Sequence, residues 1–264
     1  MVRKTRDWPG GKAPTVKEIG PYLFSDPYAV EEAHKFRINR WQFIIHVGGD
    51  PETPSEAGCE PGVEHRMADR FDINLNILSG IDSSRAILVK FLSCGGNWEE
   101  GMQMADAVLT CPNPITVLAT KHARSMSSII PLMADRFLLT PSARYMIHRG
   151  SYSTDGLDHE AETNDEERRM SNARMLRIYA TRLQEQGTYR NCKLEDIEAR
   201  LRREMEEKVD VWRSPDKAVQ DGFADGVYTG DVANLRVTSV NKARRERMIA
   251  VLRASPTVKV EVTW

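Results

Sequence analysis

The stretch from Ala86 to Thr120 limits the fold more than any other part of this chain. "AILVKFL" at 86–92 is short, continuous and apolar, the composition of a strand buried on both faces. "SCGGN" supplies a turn, "WEEGMQMADAVLT" over 98–110 has helical spacing, "CPNP" stops that helix, and "ITVLAT" at 115–120 is a second strand. A strand, a helix and a strand in that order make a parallel pair joined by a right-handed crossover. The turns that follow both strands then gather at one edge of the sheet, where α/β proteins build their sites.

A second round follows. The sequence predicts a helix from about Ser125 to Ala134, a strand "RFLLT" at 136–140 and a strand "RYMIH" at 144–148. Upstream, "WQFIIHV" at 41–47 reads as the first strand, and "GGDPETPSEAGCEPG" at 48–62 as a long turn-rich loop. A helical pattern then runs from Val63 to Leu78 through Met67, Phe71, Ile73, Leu75 and Ile77. Repeated alternation of strand and helix makes the fold class α/β. Residues 1–40 read as an N-terminal arm and 41–230 as the main domain. Residues 158–208 are highly charged and interrupted near "GTYRNCK". Pairs such as Arg202 with Glu206 and Arg203 with Glu207 make them a solvated helical arm. Residues 231–264 form a C-terminal extension: a helix "NKARRERMIAVLRA", whose "KARRER" run reads as a solvated face, and a half-buried strand "TVKVEVTW".

Charge narrows the classes of partner. Lys plus Arg total 37 against 38 for Asp plus Glu, so no global field draws the chain to nucleic acid or an anionic membrane. The basic N-terminus lacks the apolar core of a signal peptide, and no apolar run approaches a membrane span. The four cysteines, Cys59, Cys94, Cys111 and Cys192, are scattered. They have neither zinc-site pairing nor the density of a disulfide scaffold, so they read as reduced thiols in a cytoplasmic protein without a metal. No Gly-Lys-Ser/Thr phosphate loop is present, and any use of ATP would belong to a partner.

One segment raises the question of chemistry. "LATKHARSMSSII" at 118–130 sets three serines between charged residues and an apolar run. A serine hydroxyl is a weak nucleophile, which needs a base, a group to orient that base, and donors for the developing oxyanion. Ser125 lies where a strand gives way to the next element, so its hydroxyl can project at a turn with the Met126 amide facing outward. Gly95 and Gly96 follow the preceding strand and can bring a second amide close, Gly96 being the preferred one. His148 ends the strand "RYMIH" and can stand beside Ser125 as the base. Singly, each residue has a plainer explanation: a helix cap, a turn, a packed histidine. Their order along successive strand ends points all of them at one crevice.

These residues resemble the Clp protease proteolytic subunit family, across roughly 41–229. "SCGGNWEEGMQMADAV" is similar to the family's Ser-Pro-Gly-Gly stretch with its helix, and "ARSMSS" to the Ala-Ser-Met segment holding its nucleophile. "YMIHRG" resembles its Met-Ile-His motif, and "DVWRSPDKAVQDGFADGVY" the segment that opens with its catalytic aspartate. The resemblance implies a ClpP/crotonase-type spiral of β-β-α units with a protruding helical handle over about 150–208. It also implies a serine endopeptidase in homo-oligomeric rings that enclose a chamber, a polypeptide substrate and no cofactor. Carried over by position, it implies Ser125 as nucleophile, His148 as general base and then acid, Asp210 as the carboxylate orienting His148, and the Gly96 and Met126 amides as the oxyanion hole. The residues alone leave Asp210, Asp216, Asp221 and Asp225 equal as the orienting carboxylate.

The pattern also departs from the family. Lys121 takes the place of a glycine and Arg124 precedes Ser125. These cations prompt a rival serine–lysine dyad, or a catalytically inactive assembly subunit of the same fold. Cys94 replaces the family proline, and the interval from His148 to Asp210 is long. Leu88 and Lys90 stand where the family often has tyrosines that dock an unfoldase ATPase, which weakens the expectation of an AAA+ partner. The decorated ends suit a viral capsid-maturation protease variant, and the spiral is also that of acyl-CoA hydratases and hydrolases.

Overall fold

The structure, a computed structural model, describes residues 30–48, 62–150 and 158–254. Most of the expected arm, most of the 48–62 loop and the expected strand at 257–264 lie outside the described residues. A short π-helical turn (Glu32–Phe36) leads into β1 (Ile38–Asn39), which pairs antiparallel with β2 (Ile44–Val47). The final residues of the expected arm therefore belong to the sheet, with Ile38 buried.

Helix α1 (His65–Ile81) begins because the Glu64 carboxylate accepts from the Arg66 and Met67 amides. Its buried row is Met67, Phe71, Leu75 and Leu78, whereas Ile73 and Ile77 are 56% and 40% exposed. Apolar content had placed those two isoleucines in the core pattern, but they fall on the wrong side of the turn. Then come β3 (Ile87–Ser93), α2 (Trp98–Thr110) and β4 (Ile115–Arg124), the expected parallel unit, with β3 and β4 in register from Ile87–Ile115 to Phe91–Ala119. Next are β5 (Arg136–Leu139) and β6 (Arg144–Ile147). The remaining elements are α3 (Asp158–Glu185), α4 (Leu194–Lys208), β7 (Val211–Arg213), α5 (Pro215–Asp221), β8 (Gly226–Val227) and α6 (Lys242–Arg253).

Among the described residues the sheet runs β1-β2-β3-β4-β5-β8, parallel from β2 onward. Strand β4 serves two ladders. Thr116–Ala119 pair with β5, while His122–Arg124 pair with β6, which in turn pairs antiparallel with β7. On the other side, the register with β3 breaks between Phe91 and Ser93, and Ser93 comes opposite Ala123. That break lets β4 leave its first partner and carry its C-terminal end toward the end of β6. The sequence-predicted α/β architecture is thus present, with a split strand that sets up the site.

Two charged segments are less solvated than expected. The C-terminal half of α3 buries Leu176, Ile178, Tyr179, Ala180 and Leu183, and with them Arg182 at 0% exposure. Arg182 bonds Glu185 and Asp225 at 2.6 and 2.8 Å. Helix α6 docks onto the same cluster. Arg244 bonds Glu185 and Asp225 at 2.8 and 3.0 Å, and Arg245 pairs with the buried Asp135. The "KARRER" run thus does not form a solvated face throughout. Arg244 and Arg245 are buried because fixed carboxylates and carbonyls satisfy their forks. Burial by itself would raise the Asp225 pKa, but the Arg182 and Arg244 guanidinia outweigh it and hold the carboxyl far below the usual range.

Leu88 has a structural use on the opposite face of the sheet. It is buried with Leu118 and Leu138 beneath Ile44, Tyr228 and Leu235. Arg236 fixes this covering segment by donating to the carbonyls of Gln42, Phe43 and Ala86. Burial lowers the Arg236 pKa to about 10, and the nearby Arg85 charge adds to that.

Candidate active site

Strand β4 continues through Arg124, past the end expected at Thr120, because its last residues find β6 as a partner. The α-helix expected from Ser125 is replaced by two 3-10 turns, Ser125–Ser128 and Ile130–Met133. Pro131, in the first turn of the second, lacks the amide an α-helix running through it would need. Ser125 itself has φ of 57°, a left-handed conformation uncommon for a residue with a Cβ. The chain reverses sharply there and turns the hydroxyl outward from the sheet edge.

His148 follows β6, and its Nε2 lies 2.6 Å from Ser125 Oγ. Its Nδ1 lies 3.1 Å from Asp210 Oδ1, just before β7. A carboxylate can only accept, so with a neutral imidazole Nδ1–H donates to Asp210, and Nε2 is left to accept the Ser125 hydroxyl proton. The His148 side chain is 21% exposed and that of Asp210 is 49% exposed. The other aspartates are engaged elsewhere or placed elsewhere. Asp221 is bonded to Arg213 and Lys217, Asp225 sits in the arginine cluster, and Asp216 lies in the first turn of α5. Strand pairing of β7 with β6 brings Asp210 to His148, a tertiary fact that spacing in the sequence does not encode.

The glycine loop after β3 faces the same hydroxyl. A Cβ added to Gly95 (φ of 104°) would fall 2.4 Å from Ser125 Cβ and 2.8 Å from its Oγ. Gly96 forms a parallel bridge with Val63, whose bonds run from Val63 N–H to Gly95 O and from Asn97 N–H to Val63 O. That pattern leaves the Gly96 N–H outside the pairing. The Met126 N–H lies in the opening turn after Ser125, where a helical turn has no acceptor for it. Beside these groups lies a cavity of about 770 Å³, lined near Ser125 and His148 by Trp98, Met102, Met126, Ile129 and Met175.

The two unexpected cations are accommodated. Arg124 Nε donates to the Cys94 carbonyl at 3.3 Å, and its guanidinium lies over the Trp212 ring at 5.9 Å, with Arg144 over the same ring at 5.4 Å. Lys121 is exposed on β4, and the group at Ser125 Oγ is an imidazole rather than an amine. Among the described residues no cluster of three or more His, Cys, Asp or Glu could hold a metal ion, and no helix is long and apolar enough to cross a membrane.

A profile of the Clp protease family matches residues 58–231. This chain belongs to the Clp protease family. It is 30% identical over 139 residues to ATP-dependent Clp protease proteolytic subunit 1 of Chlamydia muridarum (strain MoPn / Nigg), covering 51% of this chain and 66% of that protein. The Chlamydia trachomatis serovar D counterpart matches to the same extent. The ATP-dependent Clp protease proteolytic subunit of Leuconostoc citreum (strain KM20) is 26% identical over 174 residues, 63% of this chain and 79% of that one. The chain thus spans just under two thirds of the length of the Chlamydia relatives. The Clp protease match takes in α1 through β8 and stops before α6, so the docked C-terminal helix is an addition to the matched core.

Several residues at this candidate site carried no separate signal in the sequence. Ser93, Ser127, Ser128 and Tyr179 are buried hydroxyls grouped around the Ser125 turn. The crowding of serines before the apolar run was visible, but Tyr179 arrives from a charged helix far along the chain.

Proposed function

We propose that this chain is a serine endopeptidase that hydrolyses peptide bonds through Ser125, His148 and Asp210. The carrying observation is the 2.6 Å contact between Ser125 Oγ and His148 Nε2, with Asp210 on the other ring nitrogen. Ser125 Oγ attacks the scissile carbonyl as its proton passes to His148 Nε2, while Asp210 holds Nδ1–H and stabilises the imidazolium. The tetrahedral oxyanion is held by the Met126 and Gly96 amides. Collapse expels the amine, which takes the proton from His148, and water then repeats the sequence to release the acid and restore Ser125.

The relatives are named as proteolytic subunits of an ATP-dependent Clp protease, which supports a protease built of more than one chain. The resemblance of the motifs extends this reading to homo-oligomeric rings with the sites facing an enclosed chamber, acting on polypeptides in the cytoplasm. No cofactor is required by these steps, and any ATP dependence would come from an unfoldase partner. Leu88, at a position where the family often has a docking tyrosine, is instead buried against the chain's own Tyr228 and Leu235, which argues against a groove for that partner there. The engagement of Arg124 with Cys94 and Trp212 supports an open path to Ser125, against an inactive assembly subunit. Native mass measurement together with cleavage of an unstructured polypeptide tests the function. Rings that cleave, and Ser125→Ala rings that do not, agree with it; wild-type rings without cleavage refute it.

A further inference from the structure

Hydroxyls buried in an apolar environment are costly unless each is bonded. Around Ser125, Ser93, Ser127, Ser128 and Tyr179 are all 0% exposed. Ser128 Oγ donates to the Ser125 carbonyl at 2.6 Å. Its single proton is thereby used, so the Tyr179 hydroxyl, 2.6 Å from the same oxygen, donates to it. Tyr145, from the strand that leads to His148, donates to the Ser128 carbonyl at 2.9 Å. On the other side, Ser127 Oγ donates to Ser93 Oγ at 2.6 Å, and Ser93 Oγ accepts from the Gly95 amide at 3.4 Å.

These bonds converge on one four-residue turn and on the glycine loop facing it, the two pieces of backbone that carry the Met126 and Gly96 amides. We propose that they form a brace that positions the oxyanion donors. The Tyr179–Ser128 arm holds Ser125 in its left-handed turn and so aims the Met126 amide, while the Ser127–Ser93 arm sets the distance from that turn to the Gly96 amide. The proposal rests on Ser125 being the nucleophile. Ser128, Tyr179, Ser127 and Ser93 are positioning residues, since each acts through the backbone of another. Burial pushes the Tyr179 and Tyr145 hydroxyls well above their usual pKa, so both stay protonated donors across the neutral range.

The geometry makes the arms separable. Among the described residues, the hydrogen bonds from Tyr179 reach Ser125 only through Ser128, so removing its hydroxyl after Ser128 is gone should change nothing more at the site. The probe is an alkyl fluorophosphonate, followed as the rate of adduct formation on Ser125 in the full chain. Loss of one oxyanion donor costs roughly 100-fold or more, and a displaced donor somewhat less. Ser128→Ala should therefore label roughly 10- to 100-fold more slowly and Tyr179→Phe about 3- to 10-fold more slowly, with the double variant no slower than Ser128→Ala. Ser127→Ala should fall between them. The pH midpoint of labelling should stay in place, because the His148–Asp210 pair is untouched.

A purely structural role would instead lower the thermal midpoint while the labelling rate of the folded chain stayed at the wild-type value, and that result would overturn the brace. A crystal structure of Ser128→Ala judges it without reference to activity. Ser125 leaving the left-handed region supports the brace, and Ser125 keeping a φ near 57° sinks it. A wild-type chain that fails to label would count against the catalytic role of Ser125, and the brace would then stand or fall on that structure.

Discussion

Gly95→Ala places a single methyl group between the glycine loop and the proposed nucleophile. Its Cβ would fall 2.4 Å from Ser125 Cβ, 2.8 Å from Ser125 Oγ and 3.0 Å from the Arg124 carbonyl. Carbon atoms in contact sit about 3.5 Å apart, so loop and turn must separate by roughly 1 Å. Neither side gives easily, since Ser125 is held from behind by Ser128 and the glycine loop is bridged to Val63. A misplacement of about 1 Å at a reacting atom costs on the order of 100-fold in rate. The alanine must also adopt φ of 104°, a backbone strain of about 1–3 kcal/mol. Gly230→Ala separates the two effects, because Gly230 has φ of 108° and nothing within 4 Å of its added Cβ. Gly230→Ala should lose a few degrees in Tm from backbone strain alone, and Gly95→Ala more, because its loop and turn must also separate. Only Gly95→Ala should label with fluorophosphonate about 100-fold more slowly than wild type. Equal labelling rates for the two variants would refute the claim that this glycine loop defines the site.

Other consequences follow from the same geometry. In Gly101→Ala the new Cβ would lie 2.2 Å from Met126 Cγ, so the Met126 side chain must move, and labelling should slow by about 10-fold with helix content unchanged. Circular dichroism and the labelling rate check both halves of that statement. Asp225 makes stability depend on acid. Its folded pKa lies below the unfolded value of 3.8, so its contribution is fully present above that value and is lost as pH falls through the folded pKa. Denaturant midpoints measured from pH 7 downward should fall steeply below about pH 4 in wild type and less steeply in Asp225→Asn. Arg244→Met leaves Glu185 and Asp225 with one cation fewer, and should cost about 3–5 kcal/mol in urea unfolding at pH 7.

Much of the path from sequence to site runs through local pattern. The strands over 86–92 and 115–120 and the helix between them are written in composition and stop signals, and parallel pairing then forces Gly96, Ser125 and His148 toward one edge. The rest depends on contacts made far away in the chain. Composition ends the strand at Thr120, yet Lys121 to Arg124 continue β4 because β6 pairs with its last residues. The choice of Asp210 over Asp221 and Asp225 is made by the β6–β7 ladder and by arginines that occupy the other two carboxylates. Charge likewise misled at Arg182, Arg244 and Arg245, because burial of a guanidinium turns on partners that no local window contains. The buried hydroxyls are the subtlest case: a serine is unremarkable in a turn, and only the arrival of Tyr179 from α3 makes Ser128 part of a chain of bonds.

The most direct measurement on Ser125 is intact-mass and peptide-level mass spectrometry of the whole chain after reaction with an alkyl fluorophosphonate. One adduct per chain is predicted, on the peptide that contains Ser125, absent in Ser125→Ala and slowed by several orders of magnitude in His148→Ala. A chain that takes up no adduct at that serine, or one that reacts equally fast without the imidazole, would contradict the hydroxyl–imidazole pair as the seat of the chemistry.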